Sequence, residues 1–230
     1  MTTGKLYVVA TPIGNLEDIT LRAIRILKEV DVIASEDTRT TAKLLSHYNI
    51  KKPLVAYFQH SHKGRLDAII GQLLNGKNVA LVSEAGTPAI SDPGAVLVGE
   101  ALRNGIEVVA IPGASSVTTA LSVCGFSADK FVFEGFLPRK GGKRRKTLTA
   151  LMDDERTLVF FESPHRILDT LEDMVNVLGD RRAVIARELT KIYEEIKVGH
   201  LAELLKYYTE KGVRGEFTIV VEGAGPVRNV

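Results

Sequence analysis

Cysteine is almost absent from this chain: Cys124 stands alone among 230 residues. An internal disulfide is therefore excluded, and a lone cysteine in an apolar setting reads as a small buried hydrophobe. Long apolar runs are missing as well. No window approaches the roughly eighteen consecutive apolar residues that a membrane-spanning helix needs. Met1-Thr-Thr-Gly-Lys5 runs straight into an apolar strand, without the layout of a signal peptide, so a cytoplasmic location is expected. Charge of one sign does not dominate. Residues 1–115 carry 12 basic and 11 acidic side chains, and residues 116–230 carry 18 and 17, for a net charge of +2. Global charge thus gives no argument for nucleic acid. Internal repeats and low-complexity tracts are absent too.

Two familiar nucleotide signatures are also lacking. Gly71-Gln-Leu-Leu-Asn-Gly76-Lys77 imitates part of a phosphate loop, but Asn78 follows where a magnesium-holding hydroxyl belongs. The segment also ends a helix and enters a strand, the reverse of the required order, so it reads as a helix C-cap and turn. No G-x-G-x-x-G follows the first strand. His60 and His62 have no further ligands at metal-site spacing, so no metal is expected.

What is present is an ordinary globular composition, 45% hydrophobic and 25% charged, with enough chain for one large core or two modest ones. The first half alternates strand and helix patterns. Strands are expected at Lys5–Ala10, Asp31–Ser35, Leu54–Tyr57, Asn78–Ser83 and Glu107–Ile111. Helices are expected at Leu21–Glu29, Thr40–Tyr48, Gly64–Leu74 and Ala95–Arg103, the first with Leu21, Ile24, Leu27 and Val30 at helical spacing. Such alternation predicts a parallel sheet with helices on both faces. A helix over Ser115–Val123 leads into denser strands: Phe131–Gly135, Thr157–Glu162, Ala183–Glu188, Glu195–Val198 and Phe217–Glu222. Helices at Lys143–Met152, Pro164–Leu178 and Leu201–Tyr208 separate them, and the shorter connections predict a mixed sheet. The reading is two α/β domains, 1–117 and 118–230.

Function is expected at three strand ends. Ser83-Glu-Ala-Gly-Thr-Pro-Ala-Ile-Ser-Asp-Pro-Gly94 exceeds the length that a strand-to-helix connection needs. Asp92 is its expected N-cap, with Pro93 at the first helical position. Ala10-Thr-Pro-Ile-Gly-Asn-Leu16 and Ile111-Pro-Gly-Ala-Ser-Ser116 are rigid turns at two other strands. Parallel strands share direction, so all three loops belong at one edge, where open α/β sheets bind ligands. Separately, Arg139, Lys140, Lys143, Arg144, Arg145 and Lys146 form a dense basic run. It suits phosphate, or else is a solvated helix face.

Thr11–Leu16, Ser35-Glu-Asp-Thr-Arg39, the Ser83–Gly94 loop, Pro112-Gly-Ala-Ser-Ser116, Phe133-Glu-Gly-Phe-Leu-Pro138, Phe161-Glu-Ser-Pro-His-Arg166 and Gly215-Glu-Phe-Thr218 occur in this order. Together they resemble the ribosomal RNA small-subunit methyltransferase I family, a branch of the tetrapyrrole methylase superfamily, over about residues 5 to 223. The resemblance implies two α/β domains with S-adenosylmethionine in the cleft between them, usually as a homodimer. It implies 2′-O-methylation of a cytidine in the decoding region of 16S rRNA, with the small ribosomal subunit as partner. Cofactor contacts are implied for Pro12, Gly14, Gly86, Thr87, Ile90, Ser115 and Ser116, with Phe161 and Thr218 closing over the adenine. Thr87 stands where tetrapyrrole methylases carry an aspartate. Family members often continue for several dozen residues beyond Gly-Glu-Phe-Thr, whereas this chain stops at Val230.

A base would assist the ribose hydroxyl as its proton leaves. The candidates beside the implied cleft are Glu36, Asp37, Glu84, Asp92, Glu162 and Glu188, of which Glu84 and Glu162 are preferred. Asp37 alternatively caps the helix that starts at Thr38. Arg39, Arg166, Arg187 and Lys191, beside the best motifs, suit RNA phosphates together with the basic run. They equally suit ion pairs with Glu36, Glu162 and Glu188. Two other readings stay open: a tetrapyrrole C-methyltransferase, which needs a wide apolar cleft, and a non-catalytic RNA-binding module, which needs no tailored loops.

Overall fold

The computed structural model describes residues 3–57, 63–92 and 94–225. The chain divides into two compact units, Met1–Ser115 and Ser116–Val230.

The first unit is built on five parallel strands: β1 (Leu6–Val9), β2 (Val32–Ser35), β3 (Leu54–Ala56), β4 (Val79–Val82) and β5 (Val108–Ile111), in the spatial order β3-β2-β4-β1-β5. Strand β4 is buried at every position, as a central strand covered on both faces must be. Its side chains alternate. Ala80 and Val82 pack with Ile26, Leu27, Leu44 and Leu45 of α1 (Leu21–Glu29) and α2 (Thr38–His47). Val79 and Leu81 pack with Ile69, Leu73, Leu97 and Ala101 of α3 (Lys63–Leu74) and α4 (Ala95–Arg103). Each fully buried aliphatic side chain contributes roughly 1.5–3 kcal/mol, so these two layers hold the unit together.

Local details depart from the sequence reading. Helix α1 buries Ala23, Ile26 and Leu27, while Leu21 is 86% exposed, because Thr20 caps the helix and leaves the next residue on its outer rim. Helix α2 begins at Thr38, two residues early, because the Asp37 carboxylate accepts from the Arg39 amide. Asp92 does not cap α4; that position belongs to Gly94, with no side-chain cap.

The second unit carries β6 (Phe131–Phe136), β7 (Thr157–Glu162), β8 (Arg182–Arg187), β9 (Glu195–His200) and β10 (Phe217–Val221) in the order β6-β7-β10-β8-β9. Only β6 and β7 run parallel; β10 lies antiparallel between β7 and β8, so the sheet is mixed. One face packs Leu158, Phe160, Ile185 and Ile219 against α6 (Gly141–Ala150), α7 (Ile167–Leu178) and α8 (Leu201–Lys211). Helix α5 (Ser116–Val123) packs against β10 and contributes nothing to that helix-side core, so it lies over the other face. Helix α7 starts three residues later than its pattern suggests, because the Ser163 carbonyl accepts from the amides of both Arg166 and Ile167 in a preceding turn. Among the described residues no helix is long and apolar enough to cross a membrane.

Candidate functional site

The chain after β1 runs to α1 on one face of the first sheet, whereas the chain after β4 runs to α4 on the other. Neighbouring parallel strands whose connections diverge in this way open a crevice at their carboxyl ends. Strand β5 flanks β1 on its far side, so the three loops singled out above emerge side by side.

They are tied to one another. Thr11 and Gly86 exchange both backbone hydrogen bonds, at 2.9 and 3.1 Å. The Thr11 hydroxyl also reaches the carbonyls of Ser83 and Gly86, at 3.5 and 3.4 Å. Thr87 Oγ1 donates to the Ala114 carbonyl at 3.3 Å, joining the β4 loop to the β5 loop. Gly86 has φ +78°, and a β-carbon there would lie 3.3 Å from Ile13 Cγ2 and 3.7 Å from the Ala114 carbonyl, between the other two loops. Beyond it, Ala89 and Ser91 hold φ values of 68° and 63°. Non-glycine residues in this region cost about 1–3 kcal/mol each and persist only where their surroundings force them.

Pro12, Gly14, Gly86, Thr87, Ile90 and Ser115 all lie on these loops of the first unit. Pro12 and Thr87 are half-buried, and Ile90 is 48% exposed. Ser116, Phe161 and Thr218 belong to the second unit. Ser116 opens α5, and Phe161 and Thr218 stand directly opposite each other on β7 and β10.

The carboxylates separate into two kinds. Glu36 follows β2 and Glu84 follows β4, adjacent strands in register through Ser35 and Val82. Burial pushes the Glu36 carboxyl above its ordinary range, and the negative charges of Asp92, Glu84 and Asp37 push it further. Burial raises Asp92 too, against a hydrogen bond from Ser83, with Glu84 adding repulsion. Glu84 itself is exposed. Three acids thus crowd the same edge as the loops.

Glu162 is different. It is opposite Phe217 in the sheet and points into the helix-side core, because Phe161 before it takes the other face. Its side chain has no exposed surface, and its oxygens accept from Arg166 Nη2 at 2.8 Å, Thr170 Oγ1 at 2.7 Å and the Ser163 amide at 2.8 Å. Every bond it makes holds the start of α7. Burial also raises Glu188, but the Glu216 amide and the Lys191 ammonium outweigh it and hold that carboxyl low.

The basic candidates divide likewise. Arg144 is buried, with Nε 2.6 Å from Asp173 and Nη2 on the Asp169 carbonyl, so it clamps α6 to α7. Arg145 touches Asp173 at 3.2 Å but stays 55% exposed. Arg166 is bound to Glu162 and to the Leu137 carbonyl. Arg187 lies 3.7 Å from Glu195, and Lys191 bridges Glu188 and Glu216 at 2.9 and 2.8 Å. Arg139, Lys140, Lys143 and Lys146 are exposed. Arg39 is 88% exposed and pairs with Asp37 rather than Glu36. His165 is exposed, and His60, His62 and Pro93 lie outside the described residues. Among the described residues no cluster of three or more His, Cys, Asp or Glu is arranged to hold a metal ion.

Sequence reasoning missed Asp173, whose partners are far away along the chain, and the clustering of Phe133, Phe136 and Phe161. The signal for the latter was Gly135 inside a strand, a common mark of a bulge.

Residues 5–205 match the family model of the tetrapyrrole (corrin/porphyrin) methylases. The chain is 51% identical over 220 residues to the ribosomal RNA small subunit methyltransferase I of Thermotoga maritima, covering 96% of this chain and 99% of that one. It is 51% identical over 222 residues to the protein of that name from Halalkalibacterium halodurans, covering 96% and 77%. Relatives of two lengths therefore occur. Among solved structures, the methyltransferase CobJ superposes with a TM-score of 0.72 at 17% identity, over 99% of this chain and 98% of that one. The uroporphyrin-III C-methyltransferase of Thermus thermophilus complexed with S-adenosylhomocysteine superposes with a TM-score of 0.67 at 21% identity, over 95% and 97%. At such identities the likeness is one of fold.

Proposed function

The chain belongs to the ribosomal RNA small-subunit methyltransferase I family of tetrapyrrole methylases, and from that premise we propose that it methylates a ribose 2′-hydroxyl in small-subunit RNA at the expense of S-adenosylmethionine. The nucleotide is a cytidine of the 16S decoding region, and the enzyme works in the cytoplasm as a homodimer. The observation that carries the reading is the set of three interlocked loops at the carboxyl ends of β1, β4 and β5. Their rigidity exceeds what connection alone requires, and strained backbone is characteristic of ligand clamps.

The donor set fits a nucleoside carrying an amino acid. Backbone groups and hydroxyls, rather than fixed ion pairs, line the loops, and Gly86 lets three segments meet closely. Pro12, Gly14, Gly86, Thr87, Ile90 and Ser115, all on the loops of the first unit, would hold it. When bound, it supplies a methyl group already activated on a sulfonium. The residues of the chain therefore act mostly by positioning. Glu84, exposed beside Glu36 and Asp92, accepts the proton of the ribose hydroxyl as the new O–C bond forms. Glu162, committed to Arg166, Thr170 and Ser163, has no part in that transfer. Arg39, Arg139, Lys140 and Lys143 meet RNA phosphates; Arg144, Arg166, Arg187 and Lys191 chiefly brace the second unit.

Methyl transfer from tritiated S-adenosylmethionine to unmodified small subunits tests the proposal. Label recovered in an alkali-resistant dinucleotide supports it, since a 2′-O-methyl group blocks cleavage at the adjacent phosphate. Label on a base overturns the 2′-O assignment. Label on a tetrapyrrole and none on RNA overturns the whole reading.

A further inference from the structure

Strand β6 contains a bulge. Phe133 lies opposite Val159 and Phe136 lies opposite Phe161, with a register shift between Phe133 and Gly135. In a regular strand, residues three apart point to opposite faces. The extra residue and the φ of +65° at Gly135 turn Phe136 back, so that both rings reach the face of Phe161. The three rings meet edge to face. Phe133 and Phe161 have centroids 4.8 Å apart, and Phe136 and Phe161 have centroids 5.6 Å apart. Phe133 and Phe161 are half-buried, whereas Phe136 is 55% exposed.

The chain then stiffens. Leu137 is buried, and its carbonyl accepts from Arg166 at 2.7 Å, which Glu162 holds in turn. Directly beyond come the exposed cations Arg139, Lys140 and Lys143, the last on a helix that Arg144 and Asp173 lock in place. An exposed ring on a packed aromatic base, followed within a few residues by exposed cations, is the arrangement that recognises single-stranded nucleic acid. A base stacks, and the adjoining phosphates are neutralised.

We infer that Phe136 is a stacking platform for an unpaired nucleobase of the RNA substrate, next to the phosphate track of Arg139, Lys140 and Lys143. The inference rests on the RNA reading above and adds to it the residue that grips a base. It also gives Glu162 and Arg166 a purpose: they position the segment that joins ring to track.

The test uses the full chain and a single-stranded RNA oligonucleotide bearing one 2-aminopurine, whose fluorescence falls on stacking. Wild-type protein should quench it. Phe136→Ala should lose the quenching and bind about ten-fold more weakly, with an unchanged salt slope. Phe136→Tyr, which keeps the π face, should retain both. Lys143→Ala should also weaken binding, but should flatten the salt slope while quenching persists at saturation. Unaltered RNA affinity and quenching in Phe136→Ala overturn the inference. Loss of S-adenosylmethionine affinity without loss of RNA affinity assigns the ring to the cofactor instead. A change only in sedimentation assigns it to contact between copies of the chain. A wild-type protein that neither binds nor methylates RNA defeats the broader reading, which is a separate result.

Discussion

Two acids of the first unit live under a regime opposite to that of the paired carboxylates of the second. In the first unit Glu36 and Asp92 are half-buried beside other acids, and their carboxyls are driven up. In the second unit acids are matched with bases. Arg156 holds Asp154 down to about 2, and burial of Glu195 is outweighed by Lys211 and Tyr208, which hold it low. The contrast separates tasks. Paired charges fix a frame, whereas crowded like charges are a common mark of sites of chemistry.

The largest effect expected from breaking the comparison is in the frame. Asp173→Ala leaves the buried Arg144 guanidinium without its carboxylate and should cost about 3–5 kcal/mol. Urea denaturation checks this, and the double variant Arg144→Leu with Asp173→Leu should recover most of the loss. Next, Glu84→Gln should lower kcat about 100-fold, near 2.7 kcal/mol of transition-state stabilisation, with little change in melting temperature. Glu162→Gln should do the reverse, lowering the melting temperature more than kcat. A Glu162 variant that folds as well as wild type yet is inactive would return that residue to the chemistry. Third, Gly86→Ala should cost about 1–2 kcal/mol for its left-handed backbone and weaken S-adenosylmethionine binding in calorimetry.

The smallest effect concerns pH. A carboxyl whose folded pKa is raised holds its proton more tightly when folded. Its contribution is therefore favourable below the unfolded value and is lost as pH rises through the folded one. Glu36→Gln should accordingly raise the melting temperature at about pH 7, with the gap closing toward about pH 4. The depressed Glu188 and Glu195 have the opposite sign, present above ordinary carboxylate values and lost as pH falls through their lowered ones. A gap for Glu36→Gln that widens on acidification would contradict the contrast.

Much of this was legible from residues alone, for physical reasons. Val79–Val82 is apolar on both faces, and such a run fits a central parallel strand. The excess of small residues at Ser83–Gly94 marked an unusual loop without its geometry. Less was legible in the second unit. Phe161 and Glu162 are neighbours in sequence, and only the register with Thr218 and Phe217 tells which one points into the helix-side core. Arg144 reads as one cation in a run until Asp173, 29 residues on, comes to meet it. The paired aim of Phe133 and Phe136 depends on one extra residue in a strand, which simple alternation cannot register.

The strand order of the second unit has a consequence for how the protein is made. Strand β10 (Phe217–Val221) is the last strand of the described chain, yet it lies in the middle of its sheet and joins the β6-β7 pair to the β8-β9 pair. During synthesis the first unit has all its strands once Ile111 has left the ribosome, and domains tend to fold in that order. The second cannot close until nearly all of its residues have emerged. Until then Phe160, Ile185 and their neighbours wait on two open strand edges, which another chain could pair with.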